Sequence, residues 1–482
     1  MLRNSFGAGA VLVAVLLSGG AVVAAPVTTA VTVAAAPRAA PLTLAEVLAS
    51  ARFHAPQVLE ALARVRGAEG RLLSAQAAFD TVFSANAETR LSGFYDGRDV
   101  EAKVTQPLAD FGGYAYGGYR VSGGRFPIYE DERYTNQLGE LKAGAVFALM
   151  RDRMIDDRRF ARTQAEADIA LADADRLMVA IGVQARAIQA YNNWVVAGLR
   201  LRIYQDLLAL ARDRQVGFRR QVAQGARPSI LLTENEQNIL RRQTLVVQSE
   251  QALAVAATAL SLYLRDADGL PQVVDAVRLP ADLGAPLPRP AQPRELLAAR
   301  PDLRTIDIRL KQASQRIALD RNAFLPRLDL KVEASRDFGD VGQGGSSRNS
   351  TESRVGLSFT LPLQQSAARG RIAQTNAEID AFKQRRRFLE DQIVTDIDGL
   401  GITATNSAKL VTLAADEAER AATMAGAERR RFELGASDFF LVNVREEAAA
   451  DARVRRLDAA FRQIVAHADL AAATADLEKL GL

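Results

Sequence analysis

The sequence predicts a mixed fold, in which the strands of a transmembrane β-barrel continue into a barrel of very long α-helices, and three observations lead there. Residues 326–335, PRLDLKVEAS, alternate two chemistries with period two. Leu328, Leu330, Val332 and Ala334 share one strand face, and Arg327, Asp329, Lys331, Glu333 and Ser335 share the other. From about Asp157 to Gln224 the chain reads as helix, and at about 1.5 Å per residue such a stretch spans roughly 100 Å, longer than a compact domain is wide. Finally, the chain is written twice. Segment 55–91 lies on 300–336 without gaps, pairing Pro56 with Pro301, Ala68 with Ala313, and Ala78-Phe79 with Ala323-Phe324.

Taken in order, the chain opens with Arg3, an apolar run from Val11 to Leu17, and small residues at Val22-Val23-Ala24. That is the layout of a secretory signal peptide over 1–24, with a second cleavage candidate as far as 36. The first repeat occupies 42–270: a helix, strands over about 80–92 and 139–150, then a long helical hairpin over 152–265 with its tip near 225. On its first strand Phe83, Ala85 and Ala87 alternate with Ser84, Asn86, Glu88 and Arg90, in phase with the strand at 326–336. Between the two strands, DFGGYAYGGYRVSGGRFPIYEDERY (110–134) is rich in Gly and Tyr and reads as a long extended hairpin loop. It is no phosphate cradle, because no GxGxxG or Walker spacing opens a helix there. Past the tip, Leu232, Ile239, Val246, Leu253 and Leu260 recur every seventh residue, the coiled-coil spacing.

A Pro-dense linker follows at 271–294. The second repeat, 295–482, carries strands over about 326–336 and 352–363 and a helical hairpin over 366–480 with its tip near 435. Val355, Leu357, Phe359 and Leu361 correspond to Ala143, Ala145, Phe147 and Leu149 of the first repeat. RRQVAQGARPSILL around Gly225 resembles RRRFELGASDFFLV around Gly435. Val454, Leu457, Phe461, Ile464, Ala468 and Ala471 alternate steps of three and four, so these helices pack lengthwise.

Composition narrows the function. After the N-terminus no stretch of about 20 apolar residues occurs, which argues against a helical membrane span. The chain has no Cys, which removes disulfides, thiolate metal sites, Cys nucleophiles and the lipid attachment of a lipoprotein. The two histidines, His54 and His467, sit far apart and suit packing or surface roles, so the expectation is no metal, no cofactor and no enzyme. Lys and Arg number 61 against 57 Asp and Glu, interleaved along the chain as a solvated surface rather than gathered into a nucleic-acid patch. Asp329 with Glu333 could be offered as paired carboxylates, but they repeat on a regular face with no His or Cys and no loop-built pocket.

Four strands with open edges in lipid would leave backbone groups unpaired, each costing several kcal/mol, so they must close with copies of themselves. Three chains would give twelve strands, an even number within the barrel range. The polar face (Ser84, Asn86, Glu88, Arg90, Arg327, Asp329, Lys331, Glu333) would then line water. Phe83, Phe147, Leu328, Leu330, Val332, Val355, Leu357 and Phe359 would meet lipid.

The duplicated layout, RPDLR at 300–304 leading into a helix, FLPRLDL at 324–330, LPL at 361–363 and RRxFxxGxxDFF at 429–440 resemble the outer-membrane efflux protein family whose type member is TolC. The resemblance runs from about Leu42 to Leu480. It implies a homotrimer with a twelve-stranded barrel in the outer membrane, four strands per chain, continuous with a helical tunnel across the periplasm. It also implies that the helical breaks form the periplasmic tip, where an adaptor (membrane fusion) protein docks and an iris-like untwisting opens the pore. That puts Gly225, Ser229, Gly435, Asp438, Phe439, Phe440 and Asn443 at the entrance. The positions six and nine after Gly435, aspartates in the type member, are Leu441 and Val444 here. The function so implied is a passive exit duct for small molecules, coupled through the adaptor to an inner-membrane transporter. Type I protein secretion uses the same architecture, and an exported structural coiled coil without a pore is the contrasting reading.

Overall fold

A computed structural model describes residues 40–288, 300–342 and 349–482 of the chain. The signal-peptide segment and residues 289–294 of the linker lie outside the described residues. Helices α1 (Leu44–His54) and α2 (Pro56–Gln76) lead into strands β1 (Val82–Thr89), β2 (Arg98–Pro107), β3 (Gly113–Gly123) and β4 (Glu140–Ala148), followed by helices α3 (Asp157–Ala223) and α4 (Ile230–Leu260). The second half runs α5 (Pro301–Asn322), β5 (Arg327–Asp337), β6 (Glu352–Thr360), α6 (Ser366–Glu433) and α7 (Phe439–Ala473). The duplication is visible in detail: α2 and α5 both begin with Pro in the first turn, where its missing N–H costs nothing. Ala68 and Ala313, paired in the sequence, are both buried.

The six strands form one antiparallel meander in the order β1-β2-β3-β4-β5-β6. This corrects two expectations, four strands per chain and a loop between the first-half strands. Residues 98–123 form a full-length hairpin inserted between β1 and β4, because 98–107 alternates as cleanly as 327–335 and β3 can pair on both sides. The inner turn of that hairpin is docked against the helices. Gly112 N–H donates to the Arg153 carbonyl at 3.2 Å, and the buried Arg159 guanidinium holds the carbonyls of Asp110, Asp152 and Arg153. Gly113 is required there. Its φ is +130°, and a Cβ would fall 1.9 Å from the Val146 carbonyl oxygen.

α3 and α6 contain 67 and 68 residues, so each runs about 100 Å. Both end in the same way. Gly225 (φ +70°) and Gly435 (φ +77°) adopt the left-handed conformation, and the next residue in each case, Ala226 or Ala436, donates back to the helix at 2.8 Å. That is the two-bond glycine cap that satisfies the last carbonyls of a helix. α7 then starts on Asp438, whose side chain accepts from Leu441 N–H, whereas Ser229 precedes α4 with no side-chain cap.

The largest core lies midway along α3, where α4 and α7 end. Trp194 and Ile188 of α3, Leu260 at the end of α4, Ala468 of α7, Val47 of α1 and Leu480 are all buried against one another. The linker is strapped over it: Leu42 N–H donates to the Arg278 carbonyl, and Gly198 leaves the space that the Leu279 side chain fills. Along α4 the heptad residues Val246, Leu253 and Leu260 are buried, while Leu240, Val247 and Val255 on a neighbouring stripe are exposed. One seam packs within the chain and a second has no partner among the described residues.

Candidate functional site

Strand register sorts the sheet into two faces. Ser84, Asn86 and Glu88 of β1 stand opposite Lys103, Glu101 and Asp99 of β2. The row continues through Gly118, Arg120 and Ser122 of β3 and Lys142 and Glu140 of β4. It ends on Asp329, Lys331 and Glu333 of β5 and Ser358, Gly356 and Arg354 of β6. On the other face Phe83, Val100, Val104, Tyr119, Val121, Leu141, Phe147, Val332, Val355, Leu357 and Phe359 are all exposed, and Leu328 and Leu330 share that face with them. Every strand, including β2 and β3 of the inserted hairpin, keeps the same sense of alternation. Toward the helices the polar face becomes mixed, with Val82, Val146 and Ala148 in the same rows.

Ion pairs tie the polar face across strands. Arg120 of β3 meets Glu140 of β4 at 2.6 Å, while along β5 itself Lys331 meets Glu333 at 3.1 Å. The Tyr116 hydroxyl donates to Glu333 two strands away. It reaches there because Gly144 lies between them; a Cβ on Gly144 would stand 2.7 Å from the Tyr116 ring, the known pairing of an aromatic laid over a strand glycine. Lys103 rests 4.6 Å from the centre of the same ring. At the strand ends away from the helices, residues 124–139 fold back onto this face. Arg133 pairs with Glu88 at 2.7 Å and Asp99 at 3.3 Å. Arg90 lies one residue past β1 and pairs with Glu130 of that loop, so it belongs to the loop rather than to the strand face.

At the other end, the two helical tips meet around three aromatic rings. Phe439 packs edge-on to Phe218 at 5.0 Å, and Phe432 lies 6.2 Å from each. Val442 completes the cluster. Phe440 points away and is exposed. Gly225, Gly435 and Asp438 shape the turns, as described above, without reaching into the cluster.

One turn further along α7 sits a buried charge network. Glu446, 3 % exposed, binds Arg214 of α3, Arg242 of α4 at 3.1 Å and Arg429 of α6 at 3.3 Å. Asn443 accepts from Arg214 at 3.2 Å and from Arg242 at 3.5 Å, so it is buried glue between helices rather than a free polar group. Arg242, 1 % exposed, also donates to the Leu207 carbonyl at 2.8 Å. Burial pushes the Glu446 carboxyl up, but Arg214 and Arg242 outweigh it and hold the group below its ordinary value of 4.5. Sequence reasoning named Asn443 but missed Phe218, Phe432, Arg214, Arg242 and Glu446. Leu441 and Val444 stand on the same helix, and Val444 is exposed. Among the described residues no His, Asp and Glu cluster has the geometry of a metal site, and no helix is long and apolar enough to cross a membrane.

Residues 292–476 match the model of a family described as outer membrane efflux protein. A 139-residue segment is 34% identical to the pyoverdine export outer membrane protein OpmQ of Pseudomonas putida; it covers 29% of this chain and 27%, about a quarter, of that relative. The fold is similar to the outer membrane protein VceC of Vibrio cholerae (TM-score 0.62, 14% identity, 89% of this chain and 95% of that one). It is also similar to the open state of the MtrE outer membrane channel of Neisseria gonorrhoeae (TM-score 0.61, 18% identity, 89% and 88%).

Proposed function

We propose, because this chain belongs to the outer membrane efflux protein family, that it is the outer-membrane duct of a tripartite export system, a passive conduit for small molecules that assembles as a homotrimer. The single observation that carries the reading is the two-faced sheet joined to helices about 100 Å long. Lipid would cover the apolar face and water would fill the polar side, as in a transmembrane barrel, while the helices would cross the periplasm. The unpartnered stripe on α4 supports assembly, since exposed apolar residues at heptad spacing are a seam for a neighbouring helix. Small-molecule cargo, rather than secreted protein, is favoured by the similarity to a pyoverdine exporter.

In this reading an inner-membrane transporter supplies the energy and an adaptor protein docks on the tips that carry Gly225, Ser229, Gly435, Asp438 and Phe440. The exposed Phe440 and Leu434 are the apolar handles there. Phe218, Phe432 and Phe439 hold the two hairpins of one chain together, and the Glu446 network braces them from within. Neither a metal nor an organic cofactor enters the reading.

Planar-bilayer recording of the purified protein tests it. The double variant Arg327→Glu, Lys331→Glu is expected to shift ion selectivity toward cations while trimer yield stays unchanged; an unchanged reversal potential would remove these residues from the lumen. On the opposite face, Leu330→Arg is expected to lower barrel stability by about 2–4 kcal/mol near the membrane midplane, measured by urea titration of the folded protein in vesicles. Equal tolerance of both substitutions would contradict the two-faced sheet.

A further inference from the structure

The inserted hairpin has a consequence for the pore. We infer that the barrel closes from eighteen strands, six from each of three chains, and that the exit lumen is correspondingly wide; this rests on the trimeric duct proposed above. Four observations place β2 and β3 in the barrel wall rather than outside it. Both are paired on their outer sides as well as with each other, β2 with β1 over eight of its 10 residues from Val82↔Thr105 to Thr89↔Arg98, and β3 with β4 over eight of its 11 from Gly113↔Phe147 to Arg120↔Glu140. Their lengths, 10 and 11 residues, suit a tilted strand that crosses a bilayer, which needs about 9–11.

Their faces agree in sign with the rest of the sheet. Val100, Ala102, Val104, Ala115 and Val121 fall on the apolar face, and Asp99, Glu101, Lys103 and Arg120 on the polar one. A hairpin that left the wall would have no reason to keep that phase. Polar-face contacts also lace it to its neighbours: Arg133 bridges Glu88 of β1 and Asp99 of β2, Arg120 reaches Glu140 of β4, and Tyr116 passes over Gly144 to Glu333 of β5. Its inner turn is pinned to the start of α3 by Arg159, so the hairpin runs the full height of the sheet.

Closure follows from strand direction. Six is even, so β1 and β6, the two unpaired edges, run in opposite directions and β6 of one copy can pair antiparallel with β1 of the next. β1 and β6 have 8 and 9 residues and both are exposed throughout, as edges awaiting a partner are. Barrel diameter grows roughly in proportion to strand number, so eighteen strands give a lumen roughly 1.5 times as wide as twelve, in the range that leaves an aqueous channel.

Electron cryomicroscopy of the mature protein in lipid nanodiscs decides the matter. At the membrane midplane the expected section shows eighteen strands with three-fold symmetry. Twelve strands with three-fold symmetry, β1 against β4, and the hairpin outside would overturn the inference and leave the duct intact. A particle with no membrane-embedded ring would overturn the duct as well. A second measurement does not depend on resolving strands. The chain is free of Cys, so Lys103→Cys and Val104→Cys can be labelled singly in intact membranes with a charged maleimide. The wall position of β2 predicts that Lys103→Cys reacts at least tenfold faster than Val104→Cys, and that unfolding the protein removes the difference; equal rates in membranes would put the hairpin in solvent and sink the inference.

Discussion

Replacing Glu446 with alanine is expected to destabilise the chain by about 3–5 kcal/mol, because removing one partner of a buried ion pair strands the other charge. Here the stranded charge is Arg242, 1 % exposed, with Arg214 and Arg429 beside it and no other carboxylate paired with them among the described residues. These four residues come from α7, α4, α3 and α6, so their loss loosens all four long helices near the tip at once. The effect carries a pH signature. The folded-state carboxyl lies below its ordinary value of 4.5, so its stabilisation is fully present above that value and is lost as pH falls through the folded-state value. The wild-type protein is therefore expected to lose stability on acidification below about pH 4.5, and the Glu446→Ala variant to lose less over the same window. Thermal unfolding at pH 7 and pH 4 measures both; an identical pH slope in the two proteins would show that the network does not contribute as described.

Trp194→Ala is expected to cost a similar amount, about 3–5 kcal/mol, as large-to-small changes in a packed core do. Trp194 is fully buried where α1, α3, α4, α7 and the linker strap converge, so the cavity is walled by five segments and has little freedom to collapse. The indole N–H has no hydrogen-bond partner among the described residues, and an unpaired buried donor is itself a cost. Trp194→Phe keeps most of the volume and removes that donor, and is expected to lose much less, about 1 kcal/mol. Trimer yield and thermal midpoint read the comparison. Equal losses for Ala and Phe would mean that the ring's volume is not what holds this core.

Much of the architecture can be read from residue order. The period-two strands at β1, β5 and β6 are legible because side chains alternate across a strand whatever lies beyond it. The duplication is legible because it preserves Pro at helix starts and small buried residues such as Ala68 and Ala313. Both tips announce themselves through a glycine that only a left-handed cap requires. The inserted hairpin is harder. Residues 98–107 alternate cleanly, but β3 is GYAYGGYRVSG, whose glycines look like loop composition. Their reason is spatial: Gly113 sits against the Val146 carbonyl, and Tyr116 needs the bare strand at Gly144. Because the second repeat has no counterpart, the internal duplication itself points to four strands.

The tip network was out of reach for a different reason. Arg242 and Glu446 lie 204 residues apart, and each alone looks like one more charge on a helix rich in charges. Only the packing of four helices removes them from water. Asn443 was legible as a polar residue near the tip, but its role is to accept from two arginines, which no local pattern encodes.

The central claim, that this chain forms a membrane-anchored duct, is tested most directly by imaging the purified mature protein in detergent by negative-stain electron microscopy. The account predicts hollow, three-fold particles with a helical section about 100 Å long and a detergent-bound end formed by the sheet. Slender solid filaments, or monomers equally soluble without detergent, would contradict it.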